Sequence, residues 1–338
     1  MEVLYGIDEA FHRHETSPLH PERPARLRAV TLGMEQSGLA YRTLRPEAAS
    51  RELLALVHAP SYVDALERFC LSGGGHLDAD TLAGPQSWQA ALLAAGAGPS
   101  AVRELGVLSA TDHTTFLAVR PPGHHALTDR AMGFCLFNNV AVTAAWLQQS
   151  GHKVAIVDWD VHHGNGTQSM FYQDPEILYI SLHQSPFYPY AGAIADLGEG
   201  AGEGTNINLP LPAGSAGDVY RYAWMRVVGP VLDQFRPDWL LVSSGFDAHH
   251  QDPLAELRLE AEDFGWMAWS LRSVIDPGRC LLFLEGGYHL PALTSSVAKT
   301  MQGLAGIEAI LPQNFHSPSA AFEVVDTVAE AAGRHWSL

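Results

Sequence analysis

"KVAIVDWDVHHGNGT", residues 153–167, begins as an unbroken apolar run and then crowds two aspartates, two histidines and a Gly-Asn-Gly turn into its second half. Continuous rather than alternating apolarity suits a strand covered on both faces. Carboxylates and imidazoles at the end of such a strand are costly to bury unless they are paired or hold a ligand. The stretch therefore reads as a buried strand that delivers a site at its carboxyl end.

Four further runs repeat the pattern: "FLAV" (116–119), "ILYISLH" (177–183), "WLLVSSGFD" (239–247) and "RCLLFLEGG" (279–287). Helical segments are expected between and around them, at 138–151, 216–235 and 262–275, with others beginning at Pro21 and Gly84 and a last one in "FEVVDTVAEAAGRH". Alternating strands and helices predict an α/β fold, a mostly parallel sheet with helices on both faces. With no internal repeat or low-complexity linker, residues 1–338 are expected to form a single domain. In open parallel sheets ligands bind beyond the carboxyl ends of the strands. Each run here leads into polar residues: "RPPGHHA", "DVHHGNG", "HQSPFYPYAG", "DAHHQDP" and "GGYH".

Composition narrows the partners. A net charge of -17 argues against direct nucleic-acid binding, which needs clustered Lys and Arg. No apolar stretch reaches the length of a membrane span, and the start "MEVLYGIDEAFHRHE" lacks the pattern of a signal peptide, so a cytoplasmic protein is expected. Cys70, Cys135 and Cys280 are widely spaced and predict reduced, buried thiols rather than disulfides or a thiolate metal site.

If residues 158–162 stay extended, Asp158, Asp160 and His162 project to one side. Asp160 and His162 then offer a carboxylate and an imidazole to one metal, and Asp247, ending its own strand, is the candidate third ligand. Alone, the Asp-x-Asp-x-His pattern serves equally well as a structural ion pair or a cap. The tandem His124 and His125, after a stiff Pro-Pro-Gly turn, add a proton acceptor and a proton donor. Tyr288, after two glycines, adds a hydroxyl for a developing oxyanion.

Together "RPPGHHA", "GFCLFNNVAV", "DWDVHHGNGT", "SPFYPYAG", "GFDAHHQDPL" and "EGGYHL" resemble the zinc-dependent histone deacetylase family, on its class II-like side, which includes bacterial acetylpolyamine amidohydrolases. The resemblance runs from "HPERPARL" (20–27) and "HLDADT" (76–81) to about residue 305. It implies the arginase/deacetylase fold, with Zn2+ on Asp160, His162 and Asp247. It also implies acid/base work by His124 and His125 on the attacking water and the leaving amine, and carbonyl polarisation by Tyr288. Asp158 would orient His124, and Asn165 would orient His125. Some relatives carry Asp in place of Asn165, so His125, the expected proton donor, should here be less biased toward its charged form.

The same resemblance makes Phe134 and Tyr188 the walls of a narrow channel. It also assigns a structural K+ to the carbonyls of Asp158, Asp160, His162 and Leu182 with the Asp158 carboxylate and the Ser181 hydroxyl. Leu254 falls where a polyamine-selective branch carries a glutamate, which favours acyl-lysine peptides or proteins as substrate over acetylated polyamines; Glu256 nearby keeps the polyamine alternative open. A non-catalytic acyl-lysine binding module would be expected to lack a ligand, the His pair or the tyrosine, and a binuclear manganese ureohydrolase would need more bridging carboxylates. The mixed N/O donor set suits Zn(II) or Fe(II).

Overall fold

The computed structural model describes residues 1–17, 19–108, 113–312 and 314–338. Among them are ten strands: β1 (Glu2–Gly6), β2 (Tyr41–Leu44), β3 (Gly75–His76), β4 (Leu82–Ala83), β5 (His113–Leu117), β6 (Val154–Asp158), β7 (Ile177–Gln184), β8 (Asn206–Leu211), β9 (Trp239–Ser244) and β10 (Cys280–Leu284). Eight form one sheet in the order β2-β1-β5-β10-β9-β6-β7-β8, and every neighbouring pair is parallel. The five strands that carry the polar motifs, β5, β10, β9, β6 and β7, are contiguous at its centre. Their carboxyl ends therefore share one rim.

Every residue of β6, β7, β9 and β10 is buried, as their unbroken apolar runs require. Each fully buried Val, Leu or Ile contributes roughly 1.5–3 kcal/mol over its exposed state. The scaffold can thus carry polar groups at its strand ends. All three cysteines are free and buried.

The strands stop earlier than their apolar runs suggest. β5 ends at Leu117, and β6 ends at Asp158, so residues 159–164 form turns rather than an extended segment. Asp160 and His162 consequently converge through a loop, not through strand alternation. The sheet also contains β1, β2 and β8, which the sequence reading did not identify. The helix expected over 216–235 is divided into Gly217–Ala223, a π-turn at Trp224–Val228 and Gly229–Phe235.

Two helices bear on the site. Asn138 caps Asn139–Gln149 by accepting a hydrogen bond from the Ala141 N–H at 3.0 Å. A seven-residue helix, Asn165–Phe171, starts directly after the polar turn and sets Asn165 at its first position. Away from the sheet, the antiparallel pair β3 and β4 closes the turn that carries Asp78, Asp80 and Thr81.

Candidate active site

Asp160, His162 and Asp247 come from the loops after β6 and β9, and their ligand atoms all lie within 4.8 Å of one another. His162 Nδ1 is 3.1 Å from Asp160 Oδ1 and 3.2 Å from Asp247 Oδ2. The outer oxygens are anchored. Asp160 Oδ2 accepts from the Gly286 N–H at 2.7 Å, and Asp247 Oδ1 accepts from the Val161 N–H at 3.0 Å. Asp247 Oδ2 is buried and, despite the nearby imidazole, receives no aligned hydrogen bond.

A cation fits this set on three observations. One carboxylate oxygen is orphaned in a fully buried place, which is costly unless something positive faces it. Burial should strip the proton from His162, yet Asp160 and Asp247 hold it there, with the pKa pushed up to about 10; the centre calls for positive charge. Finally, glycine is needed beside it. A Cβ at Gly286 would lie 2.0 Å from Asp247 Oδ2 and 2.6 Å from Asp160 Oδ2, and one at Gly245 would lie 2.0 Å from Asp160 Oδ2. Two carboxylates and one imidazole suit zinc with an open position.

Beside this centre the rings of His124 and His125 are tilted against each other, their centroids 4.0 Å apart. His124 Nδ1 faces Asp158 Oδ2 at 3.0 Å, and His125 Nδ1 faces Asn165 Oδ1 at 2.8 Å. The Tyr179 hydroxyl also donates to Asp158 Oδ2 at 3.0 Å. These partners drive the two imidazoles apart. Burial opposes charge on His124, but Asp158, Asp160 and Glu285 outweigh it and raise its pKa to about 10. Burial, followed by the neighbouring His124 and His162, lowers His125 well below its ordinary value. The sequence makes His125 the proton donor; in this environment it is neutral at rest and must accept a proton before giving one.

A cleft of about 570 Å³ opens over these groups, lined by His124, His125, His162, Phe134, Tyr188, Tyr288 and Leu254, with His20 and Asp80 also in its wall. Phe134 stands edge-on to Tyr288 at 6.0 Å, and Tyr188 edge-on to His125 at 5.3 Å. The Tyr288 phenol is raised well above its ordinary pKa, chiefly by burial and then by Asp247, so it stays protonated. Asp252 ties this wall together: it accepts from the Tyr288 N–H at 2.6 Å and from the Leu254 N–H at 3.1 Å. Glu256 is exposed.

Of the residues expected to hold a monovalent cation, two are neighbours across the sheet. Asp158 and Ser181 are register partners on β6 and β7, and Leu182 follows. His183 Nε2 faces the Gly192 carbonyl at 3.2 Å, which requires the proton on Nε2. His183 Nδ1 then accepts from the Ser181 hydroxyl at 2.9 Å, leaving the Ser181 lone pairs for another partner.

The sequence reading missed the groups that brace these loops. Glu22 accepts from Arg120 Nε at 2.6 Å and from Arg26 Nη1 at 3.2 Å, all three buried. Arg26 further donates to the carbonyls of Gly287, at 2.7 Å, and Glu285, and its guanidinium lies 5.0 Å from the Tyr288 ring centre. Only Arg120 carried a signal, a charged residue directly after the apolar run "FLAV".

The fold and its rim place the chain in the arginase/deacetylase class of α/β enzymes. The structure of the HDA15 HD domain superposes with a TM-score of 0.91 at 34% identity, covering 99% of this chain and 96% of that one. Residues 20–304 match the model of the histone deacetylase domain. Histone deacetylase 10, chloroplastic, of Oryza sativa subsp. japonica is 40% identical over 347 residues, 95% of this chain and 77% of that protein. The histone deacetylase-like amidohydrolase of Pseudomonas aeruginosa is 38% identical over 318 residues, 90% of this chain and 83% of that protein. The chain belongs to the histone deacetylase family and is a hydrolytic deacetylase.

Proposed function

We propose that this deacetylase is a zinc-dependent amidohydrolase acting on the side-chain amide of acetyl-lysine, or of lysine bearing another short acyl group. The observation that carries the reading is the meeting of Asp160, His162 and Asp247, with His162 opening onto an aromatic-walled cleft, beside two histidines of opposite titration behaviour. Asp160, His162 and Asp247 would hold zinc, which when bound would supply Lewis acidity toward the acyl carbonyl and make the attacking water more acidic.

The protein's own groups do the rest. Phe134 and Tyr188 cover the methylenes of the lysine stem and exclude water from it. His125, neutral at rest, takes a proton from the attacking water as its oxygen bonds to the acyl carbon. The Tyr288 hydroxyl donates to the carbonyl oxygen as that oxygen becomes an oxyanion. His124, kept cationic by Asp158, offsets the growing negative charge. The protonated His125 then delivers its proton to the amine nitrogen as the C–N bond breaks, releasing acetate and the free amine. Ser181, Leu182 and the loop carbonyls of Asp158, Asp160 and His162 would hold a structural K+ behind the site.

Leu254 on the cleft wall favours a lysine peptide over a polyamine, whose distant ammonium needs a carboxylate there. The second reading, acetylpolyamine deacetylation, is favoured by Asp80 in the cleft wall and Glu256 near Leu254. Turnover of acetyl-lysine peptide, trifluoroacetyl-lysine and acetylated polyamines, with Asp160→Ala as control, separates the two. The peptide should be cleaved with the highest kcat/KM, and turnover of polyamines alone would reverse the ranking.

A further inference from the structure

Glu285 is a fully buried carboxylate at the end of β10, one residue before the glycine that anchors Asp160. Its Oε2 accepts two backbone hydrogen bonds from the facing loop, from the Gly123 N–H at 2.7 Å and from the His124 N–H at 3.2 Å. Its Oε1 receives the Ser243 hydroxyl of β9 at 3.3 Å, and its main-chain carbonyl takes Arg26. One side chain thus fixes the two peptide units, Pro122–Gly123 and Gly123–His124, that lead into the histidine pair. The same residue is joined by the chain to Gly286 and Tyr288.

We infer that Glu285 is a positioning residue for the histidine pair, acting through the acceptor geometry of its carboxylate on the Gly123 and His124 amides. This rests on the reading that the pair transfers the protons of hydrolysis. Oriented backbone is where catalytic precision resides, because a small rotation of an imidazole removes it from the reacting atoms. The Glu285 charge also acts on His124, but behind those of Asp158 and Asp160; the inferred role lies in acceptor geometry. A glutamine at this position can keep an oxygen on the two N–H groups and turn its amide N–H toward Ser243, whereas methionine has similar length and no strong acceptor, and aspartate draws the acceptor back by one carbon.

Zinc-loaded Glu285→Met and Glu285→Asp should each lose about 10- to 100-fold in kcat, the size seen when a partner of a site residue is removed. KM and zinc content should be little changed. Glu285→Gln should recover most of what Glu285→Met loses. Hydrogen exchange at the Gly123 and His124 amides should accelerate in Glu285→Met and return toward wild type in Glu285→Gln. Wild-type kcat in soluble Glu285→Met, or an equal loss in Glu285→Gln, overturns the inference. If Glu285→Met does not fold, Glu285→Asp takes its place under the same criteria. His125→Ala run alongside separates the two levels: full activity there sinks the functional reading itself, while an inactive His125→Ala with an unaffected Glu285→Met sinks only the role of Glu285.

Discussion

His125 Nδ1 stands 2.8 Å from the side-chain oxygen of Asn165, a neutral partner, while its neighbour His124 faces the carboxylate of Asp158. The proton of the pair therefore rests on His124, and His125 begins the cycle uncharged.

Asn165→Asp weakens that bias. A carboxylate at this distance raises the pKa of His125, typically by about one unit or more. Because His125 must be neutral to accept the first proton, the acid limb of the kcat/KM profile moves to higher pH by that amount. An acid limb that stays in place would assign proton acceptance to another group.

Gly286→Ala tests the metal centre without replacing a ligand. Its Cβ would stand 2.0 Å from Asp247 Oδ2, so the carboxylate must turn away or the loop must move. Zinc affinity should fall by at least about 10- to 100-fold, the range for lost outer-shell support, and activity should return partly with excess zinc. Competition with a chromophoric chelator measures it.

Tyr288→Phe removes the hydroxyl but keeps the ring against Phe134 and beneath Arg26. Loss of one oxyanion donor costs about 10²- to 10³-fold in kcat. KM for acetyl-lysine peptide should be nearly unchanged, because the hydroxyl matters most after the carbonyl gains charge. A rise in KM at constant kcat would make Tyr288 a binding wall only.

Acid should destabilise the fold through the buried cluster below the site. Burial alone would raise the Glu22 carboxyl, but Arg120 and Arg26 outweigh it and hold it near a pKa of about 2, against 4.5 for the free group. That stabilisation, on the order of 3 kcal/mol, is present above pH 4.5 and lost as pH falls toward 2. His14, lowered from 6.5 to about 4 by burial and then by Arg120, adds a second loss between those values. Calorimetry should show Tm declining below about pH 6.5, and Glu22→Gln should lower Tm at neutral pH while flattening the most acidic part of the curve.

Much of this was legible in the sequence for physical reasons. Central strands buried on both faces must be apolar throughout, so β6, β7, β9 and β10 announced themselves, and costly polar residues at their ends marked the rim. The edge strand β2, "YRTL", is largely exposed and has no such signature. The metal trio was recognisable by residue type, although its convergence depends on a turn after Asp158 that alternation did not foresee. Glu285 and Glu22 were not recognisable, because what they do depends on backbone N–H groups and guanidiniums from distant parts of the chain.

The central claim, hydrolysis dependent on zinc held by Asp160, His162 and Asp247, is tested most directly by titrating metal-depleted protein with zinc while following acetyl-lysine hydrolysis. The account predicts no turnover before zinc is added, a rise that saturates at a single equivalent per chain, and neither uptake nor turnover in Asp160→Ala. Full turnover by the metal-depleted protein, or undiminished turnover by Asp160→Ala, would contradict it.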